Sequence, residues 1–266
     1  MVDTFVASFF KRIPENNKLE RIWVLAKVDF KSRYYYHKLG VFWALIRPAI
    51  EILVYYSIFT SLFKTDIEHF ELYLFSGLLF WYFFVEGTSK GINVLLSKRY
   101  LIESVQFNKV DLLISTTLSA LMGFLFNFLA YLLISIIVGG FPFFWTMIYF
   151  PVLLLITCLM VLGFSLILST LSIYLKDIQH FWDMIVMAGF WMTPIVYSQE
   201  IFLENLPWLL YVNPMAGLVI NLHNVLLYGT PPDFQILGYS FALSLVVFFI
   251  GLGLFSKFSH KAAEKI

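Results

Sequence analysis

The chain has 266 residues, 60% of them hydrophobic and 13% charged, with a formal net charge of +1 and a mean hydropathy of +0.82. Soluble domains carry about 25% charged residues, so a water-soluble core cannot absorb this much apolar sequence, and lipid is the solvent that the composition requires. Cys158 is the single cysteine, which excludes a disulfide framework or a cysteine-built metal site within one chain; the net charge of +1 says nothing about nucleic acid, and no nucleic-acid partner is expected.

In chain order, Met1–Asn17 lacks a basic stretch followed by an apolar core, so no cleaved signal peptide is expected. Leu19, Ile22, Trp23, Ala26, Phe30 and Tyr34 then recur at helical spacing, opposite a polar stripe of Glu20, Lys27 and Lys31. This predicts an amphipathic helix lying along the membrane surface; the alternative is a short soluble helix packed on a partner. About 20 mostly apolar residues cross a bilayer as a helix, which predicts six spans near 40–63, 72–96, 111–138, 145–173, 183–198 and 235–256. The stretch 199–234 fits no simple span, because Pro207, Pro214, Pro231 and Pro232 break it and Asn221, His223 and Asn224 punctuate its second half. Two halves too short to cross unaided predict a re-entrant helical hairpin, since broken backbone at membrane depth must be shielded by protein or face water. Residues 1–38 are then an N-terminal segment with the interface helix, 39–258 a six-span domain and 259–266 a tail.

Orientation follows from lysine and arginine. Lys11, Arg12, Lys18, Arg21, Lys27, Lys31, Arg33 and Lys38 precede the first span. Lys98, Arg99, Lys109 and Lys176 lie in the second and fourth loops, and Lys257, Lys261 and Lys265 close the chain. The other side has only Lys64, and 199–234 has neither lysine nor arginine. The expectation is an all-α polytopic inner-membrane protein, with both termini cytoplasmic and the hairpin on the opposite side.

No G-x-x-x-x-G-K-[ST] loop is present to cradle a nucleotide phosphate; the nearest lookalike, Gly251 to Lys257, lacks the glycine before lysine. H-E-x-x-H and G-x-S-x-G are also missing, so no catalytic residue, metal or cofactor is expected in this chain. Gly87-x-x-x-Gly91 is either a close helix-packing face or a chance spacing. Arg47 with Glu51, and Glu86 with Lys90, have the i,i+4 relation that lets opposite charges pair along one helix face. At membrane depth such pairs are structural or border a polar cavity. Tyr55, Tyr56, Phe59, Phe190, Trp191 and Tyr197 read either as packing and interface anchors or as the lining of a path for sugars, whose C–H faces stack on rings and whose hydroxyls bond to tyrosine.

Several segments together resemble the permease subunit of bacterial ABC exporters for O-antigen, capsule and teichoic-acid polysaccharides. They are Lys31-Ser-Arg-Tyr with Leu39-Gly-Val-Phe-Trp-Ala-Leu-Ile-Arg-Pro48, Ser76-Gly-Leu-Leu-Phe-Trp81, Tyr174-Leu-Lys-Asp-Ile178, Thr193-Pro-Ile-Val-Tyr197, and Asn213-Pro-Met215 with Leu227-Tyr-Gly229. The resemblance implies a homodimer of six-span subunits with a path between protomers for a lipid-linked polysaccharide. It also implies two copies of a separate nucleotide-binding ATPase, which would hold ATP and magnesium. The second cytoplasmic loop would then dock that ATPase through Tyr100, Leu101, Ile102, Glu103, Val105, Gln106 and Phe107. This loop departs from the family, which often has lysine and Phe-Pro where Glu103-Ser-Val-Gln-Phe-Asn108 stands here, so the departure bears on ATPase pairing. Three other readings stay open: an ABC permease for drugs or another lipid, a secondary transporter, and a membrane-embedded transferase. The secondary transporter predicts midplane ionisable groups and an internal repeat, neither of which is found, and the transferase would need a clustered polar catalytic set.

Overall fold

The computed structural model describes residues 17–34, 43–61, 67–99, 101, 108–138 and 145–265. Its regular elements are α1 (Lys18–Tyr34), α2 (Trp43–Ser61), α3 (Phe70–Ser97), α4 (Val110–Val138), α5 (Phe150–Ser172), α6 (Ile178–Trp191), α7 (Gln199–Asn205), α8 (Leu209–Val212), α9 (Ala216–Leu226) and α10 (Phe234–Lys265). A short 3-10 turn, Trp145–Tyr149, leads into α5, with Pro151 in the first helical turn, where a missing N–H costs nothing. All regular structure among the described residues is helical. Three of these helices, Val110–Val138, Trp145–Ser172 and Phe234–Phe258, are long and apolar enough to cross a membrane.

The helices run between two ends. At one, Leu25 of α1, Val94 and Leu95 of α3, Leu112 and Leu113 of α4, Leu166 of α5 and Phe255 of α10 form a buried cluster. At the other, Phe202, Leu209, Ala216 and Ile220 gather the short helices α7 to α9. Between them a larger core fills the middle of the molecule with aromatic rings. Phe128 and Phe150 stack at 4.3 Å, and Phe124 contacts Phe80 and Phe83 at 5.6 and 5.4 Å.

Small residues set the closest helix contacts. Gly87 faces Val161, and a Cβ on Gly91 would lie 2.5 Å from that of Ser165. Ser165 Oγ donates to Gly87 O at 3.2 Å, and Ser172 Oγ to Ile92 O at 2.8 Å. The Gly87/Gly91 spacing is therefore a packing face, turned toward α5. In lipid, close backbone approach and hydroxyl–carbonyl bonds stand in for the hydrophobic driving force that water would supply. Gly163 and Gly251 do the same between α5 and α10, a Cβ on Gly163 falling 2.8 Å from Phe248 N.

Three elements differ from the sequence expectation. α6 covers Ile178–Trp191 and stops there, whereas the apolar run suggested 183–198; Pro194 cannot continue a helix, and residues 193–196 form a buried turn instead. α10 continues through the expected tail to Lys265, because Lys257 to Lys265 holds good helix formers and no breaker. α1 buries Arg21, Ile22, Leu25 and Ala26 against its own chain, chiefly α4. Leu19 at 79% and Trp23 at 53% exposure stay on the outside.

The turn after α6 is held by side chains from elsewhere. Asn213 Nδ2 donates to Met192 O at 3.0 Å, Gly189 O at 3.2 Å and Thr193 Oγ1 at 2.7 Å, while its Oδ1 accepts from Met215 N at 3.0 Å. Tyr73 OH donates to Pro194 O and Tyr197 O at 3.0 and 2.9 Å. The buried His223 ring stacks on Tyr73 with centroids 3.8 Å apart. Three residues beyond α9 the chain turns at Gly229, whose φ of 61° is left-handed and free of Cβ strain only in glycine.

Candidate functional site

The residues singled out from the sequence fall in three groups of side chains, and the fold separates them along the helix axes. The first is aromatic. Tyr55 of α2 stacks on Phe190 of α6 at 5.8 Å, and Phe190 meets Trp191 at 5.4 Å and Trp81 of α3 at 6.1 Å, both edge-on. Tyr56 and Phe59 extend the run through Phe70, at 6.3 and 6.2 Å. Tyr197 stands apart: it stacks on Phe202 at 6.3 Å and its hydroxyl donates to Trp191 O at 2.9 Å, within the turn after α6. Trp191 is 56% and Tyr56 40% exposed, so this surface offers ring faces rather than a closed core. Offset and edge contacts of this kind hold aromatic rings in fixed orientation.

The second group is polar and lies further along α3. Glu86, Ser89, Lys90, Asn93 and Ser97 recur at helical spacing. Lys90 Nζ donates to Glu86 Oε1 at 2.7 Å, which realises the i,i+4 pair expected from sequence. Asn93 Nδ2 donates to Gln179 Oε1 at 3.0 Å, and Gln179 Nε2 to Asp183 Oδ1 at 2.8 Å, carrying the polar thread into α6. A cavity of about 370 Å³ opens beside this face, lined by Lys90, Asn93, Ser97, Lys98, Asp29 and Thr116 among others. Lys90 thus borders a polar cavity as well as pairing with Glu86. The Arg47 side chain, the expected partner of Glu51, lies outside the described residues.

The third group brackets the segment between α3 and α4. Of the residues expected to contact an ATPase, Tyr100, Ile102, Glu103, Val105, Gln106 and Phe107 lie outside the described residues. Leu101 is described and is buried, clustered with Leu25, Leu95 and Leu112. Ion pairs stand on both flanks. Lys98 pairs with Asp29 of α1. Asp111, fully buried in the first turn of α4, takes Arg21 at 2.6 Å and Lys18 at 3.4 Å, both from α1. Sequence reasoning counted Lys18, Arg21 and Lys98 only as orientation signals and passed over Asp111 and Asp29. The signal was there for Asp111, the one charged residue of a 29-residue apolar helix, since a buried carboxylate must find a cation.

The chain matches known proteins over most of its length. The profile of a family described as ABC-2 type transporter matches residues 20–227. An O-antigen export system permease protein RfbA of Klebsiella pneumoniae is 22% identical over 241 residues, covering 91% of this chain and 93% of that protein; a second from the same organism matches equally. The protein of that description from Myxococcus xanthus is 26% identical over 244 residues, covering 91% and 94%.

Proposed function

The chain belongs to the ABC-2 type transporter family, and from that premise we propose that it is the membrane subunit of an ATP-driven exporter for a lipid-linked polysaccharide of the O-antigen type. Two chains form the exporter, each with six spans, and the path runs between protomers. α2, α3, α4, α5, α6 together with the buried turn that follows it, and α10 are the spans, and α7 to α9 form a re-entrant region on the periplasmic side. Both termini are cytoplasmic, the outward Leu19 and Trp23 of α1 rest in the inner-membrane surface, and ATP with magnesium is held by two copies of a separate ATPase docked at Ser97–Asn108.

The observation that carries the reading is the match over nine-tenths of both chains to O-antigen export permeases. The aromatic surface of Tyr55, Phe190 and Trp191 supports it, because ring faces suit pyranose C–H faces and tolerate a sliding polymer better than a fixed set of directional bonds. Sugar units then pass the rings of α2 and α6 toward the re-entrant region.

Reconstitution with the partner ATPase in liposomes tests this. ATP-dependent appearance of lipid-linked glycan on the far leaflet is the expected result; drug-stimulated ATP hydrolysis without glycan movement overturns it. In the same assay Trp191→Ala, at an exposed position where folding tolerates truncation, lowers the export rate and leaves ATP turnover in place, by about fivefold if one ring contributes about 1 kcal/mol of stacking.

A further inference from the structure

The cavity of about 370 Å³ between α1, α3 and α4 is walled by polar groups of two kinds. The first is cationic. Lys98 stands just past the end of α3, and Lys90 eight residues earlier, about 12 Å along the helix. The second kind accepts hydrogen bonds. Ser32, Ser97 and Thr116 each donate their hydroxyl proton to a carbonyl of their own helix, to Asp29 O at 2.9 Å, Val94 O at 3.3 Å and Leu112 O at 2.9 Å. A hydroxyl holds one proton and two lone pairs, so these three present oxygen lone pairs to the cavity. Asp29 adds a carboxylate, and its roughly four lone-pair sites exceed what its partner Lys98 fills.

This lining matches neither a simple anion nor a simple cation. A bare phosphate meets two ammoniums but also the Asp29 carboxylate and hydroxyls whose protons are already committed. A bare cation meets the acceptors but also Lys90 and Lys98. A ligand that carries a phosphate and a primary ammonium a few ångströms apart answers both walls at once. We propose that this cavity binds the headgroup of a phosphoethanolamine lipid, the phosphate between Lys90 and Lys98 and the ammonium donating to Asp29 and the hydroxyl oxygens.

The acyl chains of such a ligand have a place to go. Leu96, three residues on from Asn93 and so on the same side of α3, is 48% exposed. Leu19 and Trp23 turn outward from α1, so a headgroup beside α1 lies at the level where polar lipid meets hydrocarbon. The lipid assignment takes from the proposed function only that α1 rests in the membrane surface. The volume is at the lower end of the range for pockets that enclose a small organic ligand.

The test uses the full chain purified with its ATPase, stripped of lipid in detergent and titrated with short-chain phospholipids, bound lipid being counted by native mass spectrometry. Phosphatidylethanolamine binds once per chain, and about tenfold more tightly than phosphatidylcholine, whose quaternary ammonium has no N–H; one hydrogen bond to a charged group supplies that factor. Phosphatidylglycerol, which has no ammonium, is likewise weaker. Asp29→Asn brings the ethanolamine lipid down to the affinity of the choline lipid. Ser32→Phe, at an exposed position of α1, fills the cavity without touching the Asp29–Lys98 pair and weakens all three lipids at least tenfold. Equal binding of the ethanolamine and choline lipids overturns the proposal, as does tighter binding of phosphatidylglycerol or a Ser32→Phe variant that binds like wild type. Soluble glycerophosphoethanolamine bound as tightly as the lipid overturns the lipid assignment, and one-for-one displacement of the lipid by lipid-linked glycan gives the cavity to the substrate instead. A complex that moves no glycan yet keeps the ethanolamine preference overturns the export reading and leaves this one standing.

Discussion

The two ends of the molecule satisfy their polar groups in opposite ways. At the α1 end they meet as ions: Arg21 with Asp111, Lys98 with Asp29, and further in Lys90 with Glu86. At the far end they meet as neutral groups, with the amide of Asn213 and the hydroxyl of Tyr73 serving the backbone carbonyls left open where α6 stops, and Asn221 Oδ1 accepting from Asp233 N at 2.7 Å. The difference follows from what each end has to hold. The far end is a tightly folded knot of broken helices whose free carbonyls need donors, and neutral amides supply them with far smaller desolvation cost than charges. The α1 end joins separate elements, whose register apolar packing alone does not specify, and paired charges specify it.

The contrast breaks most visibly at Asp111. Asp111→Ala leaves Arg21 buried without its carboxylate and costs about 3–5 kcal/mol, read as a shift in detergent unfolding, while Arg21→Met combined with Asp111→Leu, which replaces the ion pair by apolar groups of similar size, recovers most of it. At the far end Asn213→Ala uncovers the Met192 carbonyl and the Met215 N–H, while Gly189 O keeps the Thr193 hydroxyl, and costs about 2–3 kcal/mol for two unmet backbone groups at about 1–1.5 kcal/mol each. A loss there as large as that of Asp111→Ala would erase the distinction between the ends. Gly91→Ala tests the neutral middle, where the added methyl meets the Ser165 side chain and backbone; overpacking of this kind costs about 1–2 kcal/mol and appears as a lowered melting temperature. Lys90→Met is the smallest for stability, a few tenths of a kcal/mol for a partly exposed i,i+4 pair. It sharpens the comparison functionally, since a several-fold fall in export with unchanged melting puts the polar cavity on the substrate path.

Much of the helical layout was legible from the chain alone. Apolar runs at 72–96 and 111–138 became α3 at 70–97 and α4 at 110–138, because in lipid the backbone must bond internally and run length alone sets helix length. The i,i+4 pair of Glu86 and Lys90 was equally readable, since both partners lie on one helix and the geometry is local. The stop of α6 was not: Pro194 was visible, but the apolar residues continue past it to Val196. What ends the helix stably is Asn213, some twenty residues on, capturing the exposed carbonyls. The aromatic set was found in part. Tyr55, Phe190 and Trp191 come together, whereas Tyr197 serves the turn, and Trp81 and Phe70 join by contacts that no spacing predicts.

By itself, the sequence determined that this is a helical membrane protein, and it pointed to the transporter family. Composition, hydropathy period and short motifs are local properties, and the bilayer converts them directly into helices. Tertiary structure alone decided which face of α1 turns inward, that Gly87 and Gly91 seat α5, and that Asp111 receives Arg21 from 90 residues away. Those choices depend on which elements meet, and buried charges and close backbone contacts are satisfied only in that one arrangement.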